Sequence, residues 1–408
     1  MKIRLEENCC IPNLETSEAM LLKFAGTSSC RTVQFFRRGW LMPFPRICLV
    51  LIAMALAPLA GCSSPSIFSS GSSSHTAYVT LPNSNAVAAF RIKTSGSSAN
   101  DNLTAQFTTI VGSPFPAGSS PASVLVHPSG QWAYVANRNE NDISLFTINS
   151  SIGSLQEVLP RTTTGLTPVS MIMDSGGNYL FVVNELSSNI SVYTINSSTG
   201  ALSAIAGSPF TTFNSPFALA ITPSGKFLYV LNPNLTSVIA YTVASGVLQP
   251  VAGLPVQVGN GPRAISVDPA GSFVYVTNSA DNTVSVLGVN SSTGALTLLG
   301  SFATGTTPTA VVALDTYLYV ANQGSSNVSV FTVTPVTGVL TQITSSPFSA
   351  GTAPLFAVLD PDNLFLYIGS QSANTITALS IDTSTGALTA TSQSAPTGVS
   401  PSSMSVAK

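Results

Sequence analysis

Seven short segments, each an aromatic residue followed by valine or isoleucine, recur along the chain at intervals of 44 to 56 residues. The aromatic residues are Tyr78, Tyr134, Phe181, Tyr229, Tyr275, Tyr319 and Tyr367. Aromatic and β-branched residues in runs of this length favour β-strands. A strand signal that returns with a period near 45 residues indicates a repeat protein, whose units bury their apolar faces against their neighbours.

The repeat that opens at Pro262 shows what one unit contains. Its predicted strands are 264–267, 273–277, 283–287 and 295–299. The first two are separated by Asp268-Pro269-Ala270-Gly271, a turn signature with proline and glycine at fixed offsets. Four antiparallel strands per unit and no helical periodicity predict an all-β fold, a seven-bladed β-propeller with four antiparallel strands per blade.

The two ends of the repeat region are complementary fragments. The first copy begins at its second strand with Ala77, whereas the last opening, Pro401 to Lys408, supplies a first strand and then stops. We therefore expect Ser402 to Val406 to pair with the blade that begins at Ala77. This pairing closes the ring and removes an open sheet edge.

The N-terminal region indicates export and lipidation. Residues 47–60 form an apolar run of signal-peptide length, preceded by Arg37, Arg38 and Arg46. The run leads into Leu59-Ala60-Gly61-Cys62, which resembles the bacterial lipobox. We predict a signal region at 1–61 with a possible true start at Met42, a lipidated Ser-rich tether at 62–75, and the propeller at 76–408. The expected location is extracytoplasmic, in the periplasm or on the outer membrane, with Cys62 as the membrane anchor.

Composition excludes several classes of function. Charged residues make up only 7% of the chain, and from Cys62 onward seven cationic and twelve acidic residues leave a net charge of −5. Without a basic stripe we expect no nucleic-acid partner. The two histidines, His75 and His127, are far apart, so we expect no metal site and no cofactor. His127 occupies a turn position that other repeats fill with aspartate or threonine, which favours a turn hydrogen bond. We also predict a monomer.

Topology indicates where a functional site lies. In each blade, the residue after the opening proline and the residue after the asparagine of the second strand fall at the same end, at the mouth of the central channel. These pairs are Ala122 with Arg138, Val169 with Glu185, Phe217 with Pro233, Arg263 with Ser279, Thr309 with Gln323, Leu355 with Gln371, and Ser402 with Pro82. The predicted ligand-binding residues are Arg138, Glu185, Arg263, Gln323 and Gln371.

Three of these positions carry a family resemblance. The segments Gly261-Pro262-Arg263, Val183-Asn184-Glu185-Leu186 and Val135-Ala136-Asn137-Arg138 resemble motifs of the YVTN propellers and of the lactonase family typified by 6-phosphogluconolactonase. The resemblance covers Ala77 to Lys408 and implies that Arg138 and Arg263 bind carboxylate or phosphate while Glu185 acts as an acid or base, which makes the three candidate catalytic residues.

The chain also departs from the family pattern. Arg263 is followed by Ala264 rather than by histidine, and the residue sixteen positions before Glu185 is Val169 rather than arginine. Arg138 and Glu185 lie on neighbouring blades, so a rim salt bridge, a ligand site and a catalytic site all remain open. The sequence alone favours a binding or scaffold module whose mouth receives a protein, a glycan or a small lactone. The alternative is a lactone hydrolase of the 6-phosphogluconolactonase-like family, a carboxylic ester hydrolase.

Overall fold

A computed structural model describes residues 72–96, 103–253 and 255–407, together with three strands nearer the N-terminus. Those strands, Arg4–Glu6, Leu21–Gly26 and Ser29–Gln34, form a small antiparallel sheet within a unit that spans Met1–Ile67. The second unit, Phe68–Lys408, contains the repeats. The predicted signal run 47–60 and Cys62 lie outside the described residues. In the described part of the chain, no helix combines the length and hydropathy that a membrane crossing requires.

Seven antiparallel sheets make up the second unit, one for each repeat, and the predicted propeller is confirmed. We number the blades from the one that contains Tyr78. Blade 1 consists of Ser403–Ala407, Ser72–Leu81, Ala86–Ser95 and Thr104–Thr109. Blade 2 consists of Pro121–Val126, Trp132–Asn137, Asp142–Ile148 and Leu155–Thr163. Blade 3 consists of Pro168–Met173, Tyr179–Asn184, Asn189–Ile195 and Leu202–Ala204.

The remaining blades follow the same strand order. Blade 4 consists of Ala218–Ile221, Phe227–Asn232, Ser237–Ala244 and Val247–Pro250. Blade 5 consists of Pro262–Val267, Phe273–Asn278, Thr283–Val289 and Leu296–Ala303. Blade 6 consists of Pro308–Leu314, Tyr317–Asn322, Asn327–Val333 and Leu340–Gln342. Blade 7 consists of Pro354–Leu359, Phe365–Ser370, Thr375–Ile381 and Leu388–Pro396.

Short segments complete four of the blades and two of the loops. Blades 1, 3, 4 and 6 each add a two-residue strand, at Phe115–Pro116, Phe210–Thr211, Val256–Gln257 and Phe348–Ser349. Single 3₁₀ turns occur at Pro82–Ser84 and Pro233–Leu235. The first strands of successive blades contact one another around a closed ring, which places them along the channel.

The two ends of the repeat region meet in blade 1, as predicted. Ser403 lies opposite Thr80 and Ala407 lies opposite Thr76 in an antiparallel ladder. At the mouth end, the backbone N–H of Ser402 donates to the carbonyl oxygen of Thr80 at 3.1 Å. The C-terminal strand therefore satisfies the edge of Ser72–Leu81 that would otherwise be unpaired.

The propeller begins earlier than the predicted boundary at residue 76. The strand Ser72–Leu81 includes the last four residues of the predicted tether, and His75 is 6% exposed. The Nε2 atom of His75 lies 2.8 Å from Oδ2 of Asp362, and the Ser73 hydroxyl donates to the same oxygen at 2.6 Å. These contacts tie residues 72–75 to the turn between the first two strands of blade 7, so the Ser-rich composition does not mark a free linker there.

The recurring aromatic residue packs between blades. All seven are at most 1% exposed. In blades 1, 2 and 4 the tyrosine hydroxyl donates to the carbonyl of a glycine in the next blade, at the turn between its third and fourth strands: Tyr78 to Gly153, Tyr134 to Gly200 and Tyr229 to Gly294. Burial raises the pKa of these hydroxyls, which therefore remain protonated donors. This contact fixes how one blade sits on the next.

Candidate active site at the channel mouth

The register between the first two strands of each blade defines the mouth. In blades 2, 3, 5 and 6 the opening proline lies directly opposite the asparagine that ends the second strand, as Pro168 does with Asn184 and Pro262 with Asn278. In blade 7, Pro354 lies opposite Ser370. In blades 2, 3, 5, 6 and 7 the register shifts immediately after this proline. The residue within this bulge is the first member of each predicted mouth pair. Bulges next to functional sites change the direction in which a side chain points. The repeat pattern in the sequence does not reveal these bulges.

In blades 2, 3, 5 and 6, the strand-end asparagine is anchored to the third strand just before the second member of the mouth pair. In blade 3, Nδ2 of Asn184 donates to Oδ1 of Asn189 at 2.7 Å and to the Ser191 hydroxyl at 2.9 Å. Asn137, Asn278 and Asn322 make the corresponding pairs of hydrogen bonds. The next residue is fixed by its backbone, since the N–H of Glu185 donates to the carbonyl of Thr167 at 2.9 Å. The mouth side chains therefore project from a rigid rim.

The predicted site residues form three contacts between neighbouring blades. Nη2 of Arg138 donates to Oε2 of Glu185 at 2.9 Å, with the two side chains 48% and 30% exposed. The guanidinium of Arg263 lies over the ring of Phe217, 5.7 Å from its centroid.

The third contact joins the two glutamines. The amide nitrogen of Gln323 lies 3.4 Å from the amide oxygen of Gln371, a long and weak hydrogen bond. Among the described residues, no hydrogen bond or ion pair connects Arg263 to Glu185. Among the predicted site residues, the charged groups at the mouth are thus one paired guanidinium, one guanidinium on an aromatic ring and one carboxylate.

A second charged cluster, which the sequence analysis missed, lies on blade 2. The guanidinium of Arg161 donates to Glu157 at 2.7 Å and to Glu140, and approaches Asp142 to 4.0 Å. The hydrogen bond that Arg161 donates to Glu157 raises the pKa of Arg161, and burial raises the pKa of Asp142. The ladder between Asp142–Ile148 and Leu155–Thr163 shifts its register here. That irregularity brings Arg161 to the mouth-end loop, and no spacing in the sequence predicts it.

The two histidines both lie away from the mouth. Nδ1 of His127 lies 2.8 Å from the Ser129 hydroxyl and Nε2 lies 3.0 Å from the carbonyl of Gly177, which confirms the predicted turn role. His75, Asp360 and Asp362 could offer one ligand atom each to a metal, with those atoms within 4.8 Å of one another. Asp360 already accepts the backbone N–H groups of the residues that follow its turn, which accounts for its position.

The closed ring of seven four-stranded blades, with Arg138, Glu185 and Arg263 at one end of its channel, defines a seven-bladed β-propeller with a candidate site at the channel mouth. A model of the family "Lactonase, 7-bladed beta-propeller" matches residues 66–211, 202–313 and 310–404. The chain belongs to this family. No curated protein matches the chain significantly.

Solved structures with the same fold are distant in sequence. A Bacteroides fragilis protein, assigned provisionally as a 6-phosphogluconolactonase, is 20% identical with a TM-score of 0.70, covering 84% of this chain and 100% of its own. The periplasmic gluconolactonase of Pseudomonas aeruginosa is 19% identical with a TM-score of 0.67, covering 82% and 99%. At these identities the similarity establishes the fold. Family membership favours the lactone-hydrolase alternative over the binding module that the sequence alone favoured.

Proposed function

We propose that the protein hydrolyses lactones at the mouth of the channel. The observation that carries the proposal is the contact between Arg138 and Glu185 at the mouth of a lactonase-family propeller. The names of the two similar structures, a 6-phosphogluconolactonase and a gluconolactonase, support the same class of reaction. We prefer this activity to the scaffold role, because membership of the lactonase family is a stronger indication of function than the low content of charged residues.

Ring opening of a lactone needs a base for water and positive charge for the developing oxyanion. We assign the base to Glu185, which accepts a proton as the water oxygen bonds to the carbonyl carbon. The guanidinium groups of Arg138 and Arg263 stabilise the negative charge that develops on the carbonyl oxygen. Glu185 then returns the proton to the ring oxygen as the acyl C–O bond breaks. One water is consumed, and the product is a hydroxy acid.

The proposed setting is the cell envelope. The apolar run 47–60 and the lipobox-like segment that ends at Cys62 support export and a lipid anchor. We propose that the propeller is a monomer held in the periplasm or at the outer membrane by acyl chains on Cys62. A lactone ring opened in that compartment gives a hydroxy acid outside the cytoplasm.

Substitutions at the mouth test the proposed reaction. The full-length protein is assayed for proton release from δ-valerolactone, glucono-δ-lactone and 6-phosphogluconolactone. Loss of a general base lowers kcat by roughly 100-fold to 10,000-fold, and we expect this range for Glu185→Gln. For Arg138→Gln we expect a loss of roughly 100-fold or more, because one donor to the oxyanion is removed.

Two exposed residues at the opposite end of the blades supply matched controls. Asp315→Asn and Lys226→Gln remove the same kinds of charge in turns between the first and second strands. We expect both to retain wild-type rates on every lactone. A wild-type protein that opens none of the three lactones above the uncatalysed rate overturns the proposal and supports the binding module.

A further inference from the structure

Four large apolar side chains stand exposed in the mouth-end loops of blades 3 and 4. Leu166 is 50% exposed, Leu186 71%, Phe213 48% and Leu235 38%. We call these four residues the apolar crest. In a chain whose surface is otherwise rich in small polar residues, a group of exposed apolar side chains indicates a contact with an apolar molecule.

Hydrogen bonds join the loops that carry the crest. The links are Leu166 N to Ser187 Oγ at 2.6 Å, Thr212 N to Ser188 O at 3.0 Å, and Asn232 Nδ2 to Asn214 O at 2.6 Å. Each loop is therefore tied to the next across the top of the two blades. The four crest residues therefore lie on loops that are joined to one another by hydrogen bonds.

The other repeats of the chain show that the crest is not a general property of these loops. The position of Phe213, three residues before the opening proline, is glycine in every other repeat: Gly118, Gly165, Gly259, Gly305, Gly351 and Gly398. The position of Leu186 is held elsewhere by Asn83, Asn139, Asn234, Ala280, Gly324 and Ser372. At these two positions, a large apolar residue replaces small or polar ones only in blades 3 and 4.

The crest adjoins the groups assigned to catalysis. Leu186 directly follows Glu185, and the loop that carries Phe213 leads into Phe217, over which Arg263 lies. A molecule that reaches from the mouth onto the crest therefore places a polar group beside Glu185 and an apolar group on the two blades. A phosphorylated sugar lactone has no apolar part to contact these four side chains.

We infer that the substrate is a lactone that bears an alkyl chain, with its ring at the mouth and its chain on the apolar crest. This inference rests on the proposed lactone-hydrolase function and names the substrate class for the same site. The lactone supplies both the ring that the site opens and the apolar surface that the crest buries.

A lipid bilayer is the less favoured occupant. The strand Ser72–Leu81 has ten residues and carries the chain over roughly 30 Å, from the end of blade 1 opposite the mouth to Pro82 at the mouth. The described propeller chain thus starts at the end opposite the crest. A bilayer also presents no lactone ring to the groups at the mouth.

Two lactones that differ only in their side chain test the inference. The full-length protein is assayed with δ-valerolactone, which has no alkyl substituent, and δ-decalactone, which carries a five-carbon chain. Burying part of this chain raises kcat/KM for δ-decalactone by about tenfold or more, because apolar surface is removed from water when the lactone binds. We also expect 6-phosphogluconolactone to be the poorer substrate.

Substitutions in the crest test whether these residues cause the preference for δ-decalactone. Phe213→Gly restores the residue found in the six other repeats, and Leu186→Asn restores one of the residues found at its position. We expect each to reduce the ratio of kcat/KM for δ-decalactone to that for δ-valerolactone about three- to tenfold. Leu298→Asn is the control, because Leu298 is 45% exposed on the fourth strand of blade 5, away from the mouth.

The outcomes separate this inference from the function on which it rests. Hydrolysis of δ-valerolactone with no advantage for δ-decalactone overturns the alkyl-lactone inference alone. The inference also fails if the crest variants and Leu298→Asn behave alike, or if the phosphorylated lactone is preferred. Failure to open any lactone overturns the proposed function and the inference together. The two crest variants lie in different loops, so a folding defect in one leaves the other informative.

Discussion

At the scale of single residues, chemically identical tyrosines differ in their hydrogen bonds. The hydroxyl of Tyr134 donates to the buried Gly200 carbonyl of the next blade at 2.7 Å. The equally buried hydroxyls of Tyr319 and Tyr367 have no hydrogen-bond partner among the described residues. The repeat pattern predicts that all of these side chains are buried. It does not predict which hydroxyl finds an acceptor, because that depends on the fit between two blades.

Removing one hydroxyl at a time should expose this difference. Tyr134→Phe leaves a buried carbonyl without its donor, and we expect the free energy of unfolding to fall by about 1–3 kcal/mol. Tyr367→Phe removes a hydroxyl that has no described partner, so we expect no loss or a small gain in stability. Denaturant titrations of the two variants provide the measurement. If both variants lose the same free energy of unfolding, the hydrogen bond to Gly200 does not contribute to stability.

At the scale of strands, the sequence predicted the closing pair and misplaced one strand start. Closure is predictable because the first and last repeats lack complementary strands. Residues 72–75 were assigned to the tether because their serine-rich composition resembles a linker. They join blade 1 because Ser73 and His75 contact Asp362, which lies nearly 290 residues further along the chain. A contact that distant leaves no local signal in the sequence.

Deletion of residues 401–408 tests the closing strand. Without Ser403–Ala407, the backbone groups along Ser72–Leu81 lose their partners and blade 1 retains an open edge. We expect the melting temperature of the full-length protein to fall by roughly 10 °C or more. His75→Ala removes only one side-chain contact to Asp362, and we expect a shift of a few degrees. A melting temperature unaffected by the deletion contradicts the role of this strand in closure.

At the scale of the whole molecule, the ring brings six side chains from six different blades into the three contacts at the mouth. Strand direction alone predicted which positions meet there, and the pairing of each opening proline with a strand-end residue in five blades agrees with that prediction. The sequence did not predict the bulges after the prolines, the placement of Arg161, or the loops that join into the apolar crest. Those features depend on backbone irregularities and on contacts between blades.

The same reasoning explains why the sequence alone favoured a binding module. The family motifs around Arg138, Glu185 and Arg263 are displaced between blades, and a chain with few charges offers few acid or base groups. The ring compensates for part of this displacement, since it brings Arg138 on blade 2 to Glu185 on blade 3. Residues that are far apart in a family motif can still form one site when neighbouring blades present them.

The most direct test of the account is a crystal structure of the protein with 5-hydroxydecanoate, the product of δ-decalactone hydrolysis. We predict that its carboxylate lies within about 3.2 Å of a guanidinium nitrogen of Arg138 or Arg263. Its alkyl chain should lie against Leu186 and Phe213. A product bound at the opposite end of the channel or on the outer strands, with the mouth left empty at saturating ligand, contradicts the account.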